Sequence, residues 1–396
     1  MLEEIMAAMG VRPMGVTEDG RYTAVIEVAQ DPEGSFGWTN LNVAAAKPVG
    51  RGVKRPAPFP SLTSGIAAIE WGAESRRIYY ADTDGAVIEL ETDGARWGYS
   101  NFTSAIGAPV AAWSSPLAAD GRRSEKLGVY YVAEGGGLTI LRYDNGWKLG
   151  TNLKIPPVAP TSPLTAMQND RGRFVYYFTD DNHVREVEVT GTESRQTSDL
   201  TKFAALRPAS PLSGLTAVGW GKDSRRVYYA DTGDNLIEMA GFGDQSDKWV
   251  WRDLTEQGAR KLRDGSPLAA ATADGSFPSV AQWCRQRMPF LMWWDDRGGW
   301  SVNEIYTTQK GTCPLVAANS SAACAVAPDG LPWVSFVTED NHLALWRGLE
   351  RDWLWWDLTD ELGLPRVADV ATQGPLVLAY TESGPRIYYL TDDPEF

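Results

Sequence analysis

Two pairs of charged residues share one spacing that would suit ligand binding. Glu89 follows Arg77 by twelve residues, and Glu238 follows Arg226 at the same distance. If each pair lies on a hairpin whose three-residue loop is centred near Thr83 in the first copy, the Arg faces the Glu directly across the two strands. The guanidinium group then offers several fixed donors beside two carboxylate acceptors. This combination suits adjacent hydroxyls on a pyranose ring.

A third pair is split between the two ends of the chain. Arg386 stands in the sequence PRIYYLTDD, which resembles RRIYYADTD around Arg77. Near the N-terminus, AVIEV at residues 24–28 repeats AVIEL at residues 86–90, so Glu27 corresponds to Glu89. We therefore expect Arg386 and Glu27 to form the same arrangement across the chain ends.

Aromatic residues could complete such a site. A sugar also has an apolar C–H face, which binds best to a flat apolar surface. Four tryptophans stand at the corresponding place after the carboxylate position: Trp38, Trp97, Trp147 and Trp249. A pocket between neighbouring units would combine Arg and Glu from one unit with Trp from the same unit or the next.

The alternative interpretation of these residues is structural. An Arg and a Glu that face each other on a hairpin are often a solvated ion pair, and Trp often serves packing. In otherwise similar units, however, Phe174 replaces the Arg before Glu186, and Gly128 and Ile140 replace both members of the pair. Such selective loss favours a role in ligand binding.

Three short sequence words recur along the chain in a fixed order. Copies of the first begin near residues 60, 115, 162, 210, 266, 313 and 374, about 47 to 61 residues apart. An aromatic word such as RRIYYADTD or FLMWWDDRG follows each copy, and most units continue with a third word such as AVIEL or SVNEI and a Trp-containing run. Each unit therefore predicts four short β-strands separated by Gly, Asp and Asn turns. Sustained helical periodicity is confined to the first ten residues.

Four strands in a unit of about 50 residues are typical of one blade of an all-β propeller. We predict a single domain, residues 1–396, with seven blades, six being the alternative count. A solenoid would need shorter repeats. The last unit contains only its first two strands, at residues 374–390, while residues 22–38 lack those two. We expect these N- and C-terminal strands to pair in one blade and close the ring.

The composition limits the classes of partner. The chain has a net charge of −14 and a pI near 4.8, which argues against nucleic acid because phosphate binding needs clustered Lys and Arg. No stretch approaches 18 consecutive apolar residues, and the chain starts with MLEE, where a secretory signal would be basic. We expect a soluble protein without membrane insertion or a classical signal peptide, either cytoplasmic or non-classically secreted.

The cysteines and histidines predict neither a disulfide framework nor a metal site. The three cysteines, Cys284, Cys313 and Cys324, form no CxxC pair and are expected to be free buried thiols. His183 and His342 occur in matching DDNHV and EDNHL sequences, which marks them as repeat positions in turns rather than zinc ligands. We expect no metal and no cofactor.

The repeat is similar to that of a known family. The words RIYYADTD and VIEL, a following Trp and the start SPLAA resemble the repeats of the fungal fucose-specific lectins over essentially the whole chain. The resemblance implies pockets between blades, in which Arg and Glu bind fucose hydroxyls while Trp and other apolar residues contact the ring and its methyl group. The fungal lectins have six blades, whereas this chain shows seven units, as some bacterial fucose-binding propellers do.

Carried over to this sequence, the resemblance implies three pockets, with Arg77 and Glu89, Arg226 and Glu238, and Arg386 and Glu27. A stacking Trp from the next blade would place Trp97 in the pocket of Arg386 and Trp147 in that of Arg77. The sequence shows no equivalent Trp in the unit that follows Arg226.

The function predicted from these observations is a multivalent lectin without catalytic residues, whose partners are fucosylated glycans. A glycoside hydrolase is one alternative, but Asp82 and Asp84, its candidate carboxylates, are better explained as turn formers. A propeller scaffold for protein–protein interaction is another. The sequence leaves the oligomeric state open, with a homodimer among the alternatives.

Overall fold

Each repeat forms an antiparallel four-stranded sheet, here called a blade, in the computed structural model. The structure describes residues 23–392, with gaps at 32, 51–52, 73, 122–125, 151–154, 191–192, 243–248, 263–264, 273–277, 284–288, 295–298, 305–306, 309–310, 313, 318–319, 350–351 and 369–375. Cys284, Cys313 and the predicted N-terminal helical segment therefore lie outside the described residues. So do the predicted blade starts at residues 313 and 374.

The blades are numbered along the chain, and their strands are called first to fourth. Blade 1 comprises Ile66–Trp71, Ser75–Ala81, Val87–Asp93 and Gly98–Asn101. Blade 2 comprises Leu117–Gly121, Leu127–Val132, Leu138–Tyr143 and Trp147–Leu149. Blade 3 comprises Leu164–Gln168, Arg173–Phe178, Val184–Thr190 and Glu193–Asp199. Blade 4 comprises Leu215–Trp220, Ser224–Ala230, Leu236–Gly241 and Trp249–Asp253.

The remaining blades follow the same plan. Blade 5 comprises Leu268–Ala271, Ser279–Trp283, Pro289–Trp294 and Trp300–Glu304. Blade 6 comprises Ala322–Val326, Pro332–Val337, Leu343–Gly348 and Trp353–Asp357. Blade 7 comprises Leu376–Thr381, Gly384–Thr391, Ala24–Gln30 and Phe36–Asn40.

Blade 7 is built from both ends of the described chain, as the sequence predicted. Its sheet order joins the two N-terminal strands to the two C-terminal ones, and the junction runs antiparallel from Ala24, opposite Thr391, to Ala29, opposite Arg386. First strands of neighbouring blades contact one another around the whole ring, from blade 7 back to blade 1. The prediction of a seven-bladed, end-closed β-propeller is therefore confirmed.

Short elements connect the blades. Four helices of four or five residues follow a fourth strand: Leu41–Ala44, Phe102–Ile106, Leu200–Phe203 and Leu358–Leu362. Each begins after an Asn or Asp whose side chain accepts a backbone N–H of the first turn, which is the usual N-cap chemistry. Two ribbons, Lys47–Gly50 with Val53–Arg55 and Thr307–Thr308 with Gly311–Thr312, complete the described elements. None of the described helices has the length and hydropathy needed to cross a membrane.

The recurring serine holds the start of each blade to its second strand. The Ser115 hydroxyl accepts the Val132 N–H at 2.9 Å and donates to the Pro116 carbonyl at 3.0 Å. The same pair of bonds recurs at four other blades, through Ser64, Ser162, Ser213 and Ser320. The first sequence word is therefore structural in these blades.

The paired tyrosines of the second strand serve the two faces of the blade. Because neighbouring residues of a strand point to opposite faces, Tyr79 and Tyr80 reach different neighbours. The Tyr79 hydroxyl donates to Glu89 at 3.2 Å, and Tyr80 donates to the Pro58 carbonyl at 2.5 Å. Buried hydrophobic residues form clusters between neighbouring blades, such as that of blades 1 and 2 around Tyr79 and Leu127. Each pair of neighbouring blades thus shares a hydrophobic core. The positions of polar side chains in these interfaces are therefore tightly constrained.

Two strand assignments in one diverged unit were wrong. The sequence FLMWW was predicted as the second strand of the fifth unit, but it forms the third strand, Pro289–Trp294. The next word of that unit, SVNEI, was predicted as the third strand but begins in the fourth, Trp300–Glu304. The run FLMWW is as aromatic as the second strands of the other units, and this similarity caused the wrong alignment.

Candidate functional site

The first candidate site lies on blade 1, where its second and third strands pair. Their register places Tyr79 opposite Glu89, and Arg77 opposite Glu91. The prediction that Arg77 lies directly opposite Glu89 was therefore wrong by two residues. Arg77 reaches Glu89 diagonally, with 3.6 Å between Nε and Oε1, while its Nη2 lies 3.2 Å from Glu91. The three side chains still share one face.

The turn explains the shift in register. Asp82 accepts the backbone N–H groups of Asp84 and Ala86 at 3.0 and 2.8 Å, and its own N–H bonds to the Ala86 carbonyl. The three-residue loop is therefore centred on Asp84 rather than on Thr83. Gly85 takes a φ of 74°, a value that favours glycine.

Blade 4 repeats the arrangement. Tyr228 lies opposite Glu238 and donates to it at 3.2 Å, while Arg226 Nε lies 3.3 Å from Glu238 Oε1. The Arg226 guanidinium packs over the Trp220 and Phe242 rings, 4.7 and 4.6 Å from their centroids. An apolar wall thus lies beside the charged pair.

Blade 7 forms its copy only because the chain ends meet. Tyr388 lies opposite Glu27 and donates to it at 3.1 Å, and Arg386 Nη1 lies 3.4 Å from the same oxygen. Arg386 comes from the C-terminal strand and Glu27 from the N-terminal one.

The facing tryptophan comes from the next blade. Trp147, on the fourth strand of blade 2, meets the Tyr79 ring edge-on at 5.9 Å, and its indole group faces Glu89. Trp97 of blade 1 packs into the interface with blade 7, which contains Tyr388.

Blade 5 supplies a tryptophan that sequence reasoning missed. Trp300 meets Tyr228 edge-on at 6.1 Å, and its indole group faces Glu238, with its N–H buried but without a hydrogen bond. Pairing of Trp300 with Trp294 matches that of Trp147 with Tyr143. The wrong strand assignment in unit five concealed this correspondence, although the Trp that starts WSVNE was the available signal.

Like Trp97 and Trp147, the other two predicted tryptophans face the preceding blade. Trp38 pairs with Val28, the neighbour of Glu27, so its side chain points away from that carboxylate. By strand pairing, the counterpart of Trp97 in blade 7 is Phe36. Trp249 likewise faces blade 3. Its ring centroid lies 5.1 Å from the guanidinium of Arg225, a residue of its own blade. Neither residue joins the carboxylate of its own blade.

Three further arginines project into interfaces from the following blade, and the sequence analysis did not single them out. Arg76 bonds Glu27 of blade 7 at 2.8 Å, Arg173 lies 3.2 Å from Asp120 of blade 2, and Arg225 lies 3.1 Å from Glu186 of blade 3. The dipeptides Arg76-Arg77 and Arg225-Arg226 were the available signal, because neighbouring strand residues face opposite blades.

Burial controls the protonation of the carboxylates. Loss of solvent and, to a smaller extent, the charge of Glu91 raise the pKa of Glu89 to about 7, against the lowering effect of Arg77. Burial also raises the pKa of Glu238, against the lowering effect of Arg226 and Arg252. Ligand groups that donate hydrogen bonds would therefore stabilise the ionised form of each carboxylate.

The other polar candidates have structural partners. The His342 Nδ1 atom lies 2.9 Å from Asp357, and these two residues with Asp360 form the candidate metal group of the described residues. Asp357, however, caps the helix that begins at Leu358, where it accepts the Asp360 N–H. Cys324 is a free thiol whose pKa burial raises to about 12.

Comparison with known proteins gives a family match. The model of the family described as fungal fucose-specific lectin matches residues 62–291. A fucose-specific lectin of Aleuria aurantia is 26% identical over 282 residues, which cover 65% of this chain and 85% of that protein.

Solved lectin structures share the fold. The SapL1 lectin, solved in complex with α-methyl fucoside, superposes with a TM-score of 0.55 at 22% identity, covering 75% of this chain and 96% of its own. The six-bladed propeller of the Aleuria aurantia lectin gives 0.54 at 22% identity, covering 74% and 95%. The BP39L lectin from Burkholderia pseudomallei gives 0.53 at 16% identity, covering 87% and 96%.

Proposed function

Because this chain belongs to the fungal fucose-specific lectin family, we propose that it binds fucosylated glycans in pockets between its blades. The observation that carries the proposal is the repeated set of Arg, Tyr and Glu on one blade facing a Trp of the next, at blades 1 and 2 and again at blades 4 and 5. The same residue types therefore recur in register at two interfaces, which supports a shared role for them.

Each group of the set matches one part of a pyranose. The Arg fork donates to ring hydroxyls, and the Glu carboxylate accepts from them. The indole supplies a flat apolar surface for C–H groups. Buried partners strengthen these bonds because water competes less for them.

The structural ion-pair alternative accounts less well for the site. Glu89 and Glu238 side chains are only 3% and 4% exposed, and burying a carboxylate raises its pKa as well as its energetic cost. An apolar pair would pack the interface at lower cost, as Ile140 does at the corresponding position of blade 2. Retaining the charges in two equivalent places supports a ligand role.

We further propose that binding occurs without turnover. Hydrolysis would need two carboxylates on opposite sides of a glycosidic bond. Asp82, one former candidate, is committed to backbone N–H groups of its turn. Incubation with a chromogenic fucoside should release no chromophore, and measurable release would overturn this part of the proposal.

The test of binding is a double substitution of the two arginines. Arg77→Ala/Arg226→Ala should abolish binding of α-methyl-L-fucoside at these two sites in calorimetry, because both Arg forks are lost. The matched control is Arg347→Ala on blade 6, whose partner is Asp329 on the surface, and it should bind as the unaltered protein does. Unchanged binding by the folded double variant would contradict the assignment of these sites.

A further inference from the structure

The interface of blades 7 and 1 contains a charged side chain, Arg76, that has no charged counterpart in the two sites above. The Arg76 guanidinium, from blade 1, bonds Glu27 at 2.8 Å and packs 5.1 Å above the Trp97 ring. Glu27 and Trp97 are the acceptor and the flat surface that a sugar would use in this pocket. Arg76 therefore already contacts both of these residues.

The corresponding positions at the other two sites are uncharged. Strand pairing aligns Arg76 with Leu127 of blade 2 and with Pro278 of blade 5. Leu127 is buried in the core between blades 1 and 2. Its side chain therefore contributes to the pocket wall and leaves Glu89 to Arg77, Tyr79 and the facing indole.

A second charged residue reinforces the difference. Glu70, on the first strand of blade 1, lies within hydrogen-bonding distance of the Tyr388 hydroxyl, and its Oε2 atom lies 4.0 Å from Arg386 Nε. The same strand position carries Gly121 in blade 2 and Thr272 in blade 5. Arg386 and Arg76 thus face the Glu27 and Glu70 carboxyl groups across this interface.

Blades 3 and 4 show that this position accommodates a guanidinium group as an occupant. Arg225, the equivalent of Arg76, is fully buried and lies 3.1 Å from Glu186. Its guanidinium lies between the Phe174 and Trp249 rings, 4.3 and 5.1 Å from their centroids. A cation held between aromatic rings beside a carboxylate fills the space that a pocket would offer.

We infer that Arg76 is a built-in occupant of the third pocket, so that the protein has two open fucose sites, at blades 1 and 2 and at blades 4 and 5. The inference rests on the proposed function. Arg76 satisfies Glu27 and covers Trp97, and a sugar would have to displace a charge-assisted hydrogen bond to enter. The pocket of Arg386 and Glu27 then stabilises the ring closure instead of binding ligand.

Calorimetric stoichiometry with α-methyl-L-fucoside tests the inference. The unaltered chain should bind about two molecules, and Arg76→Leu, which copies Leu127, should bind about three, because the exposed Glu27 and Trp97 become available. Arg76→Leu/Glu70→Gly copies blade 2 more fully and should also bind about three. Thermal unfolding is measured for each variant to establish that it folds.

The control is Arg347→Leu, the same substitution in a surface ion pair of blade 6, which should leave the stoichiometry at about two. Three sites in the unaltered chain, or two in both folded Arg76 variants, would overturn the inference. Absence of binding by every variant would overturn the proposed function and the inference with it. Binding at two sites with no gain in the variants contradicts the inference alone.

Discussion

At the scale of single residues, one carboxylate organises each candidate pocket. Glu89 accepts the Tyr79 hydroxyl from its own blade and faces the Trp147 indole of the next, with Arg77 beside it. The aromatic rings that supply these donors also exclude water. The same neighbours therefore raise the pKa of Glu89 through burial and partly lower it through hydrogen bonds.

The raised pKa predicts a pH dependence of binding. Glu89 has a pKa of about 7, so its carboxyl group is partly protonated near neutrality in the free protein. Ligand hydroxyls donate to the ionised form, and binding should lower this pKa and release a proton. We expect affinity for α-methyl-L-fucoside to fall as the pH drops from about 8 to about 5.5.

Calorimetry in buffers of different ionisation enthalpy measures the proton released. In Glu89→Gln the blade 1 site cannot titrate, so any binding that remains there should not vary with pH. Proton uptake on binding would contradict the assignment of an ionised Glu89 as the acceptor.

At the scale of elements, the hairpin register decides which side chains meet. Alternation along the second strand sends Arg77 and Tyr79 to one interface and Arg76 and Tyr80 to the other. A shift by one residue would exchange these sets. The turn at Asp82 and the serine at the start of each blade hold the register, so they support the site without touching a ligand.

The serine bonds lead to a stability prediction. Ser115→Ala should lower the free energy of unfolding by about 1–3 kcal/mol, because the buried Val132 N–H loses its acceptor. Ser114→Ala, on the exposed neighbour, should change it by less than about 0.5 kcal/mol. Denaturant unfolding of both variants checks this. Equal stability of the two variants would show that the bond contributes nothing.

At the scale of the whole molecule, the ring separates the two proposed sites. The interface of blades 1 and 2 and that of blades 4 and 5 are three interfaces apart in a ring of seven. The two proposed sites therefore lie on nearly opposite sides of the propeller. If both bind fucose, they could engage two glycans on one surface, where linkage raises the avidity.

Ring closure predicts a large effect of blade 7 on stability. Removal of residues 386–396 takes away the partner of Ala24–Gln30 and leaves two unpaired strand edges, which should lower the melting temperature and promote aggregation. Conversely, Ala24→Cys/Thr391→Cys would join residues that are already paired. A disulfide there should raise the melting temperature relative to the reduced form of the same variant. A truncated chain as stable as the full one would contradict the role of closure.

The sequence by itself determined the repeat, the four-stranded blade, the closure by the chain ends and the identity of the Arg and Glu pairs. These follow from local patterns: period-two alternation, Asp and Gly turns, and recurrence along the chain. It misplaced the register by two residues because a turn centred on Thr83 and one centred on Asp84 fit the same letters.

Only the tertiary structure decided what faces each pocket from the next blade. Trp300 and Arg76 are far in sequence from the carboxylates that they meet, Glu238 and Glu27. No local pattern encodes such a contact, because it depends on how two sheets twist and pack in the ring. Whether a pocket is open or already filled is therefore a property of the interface, not of the repeat that carries the Arg and the Glu.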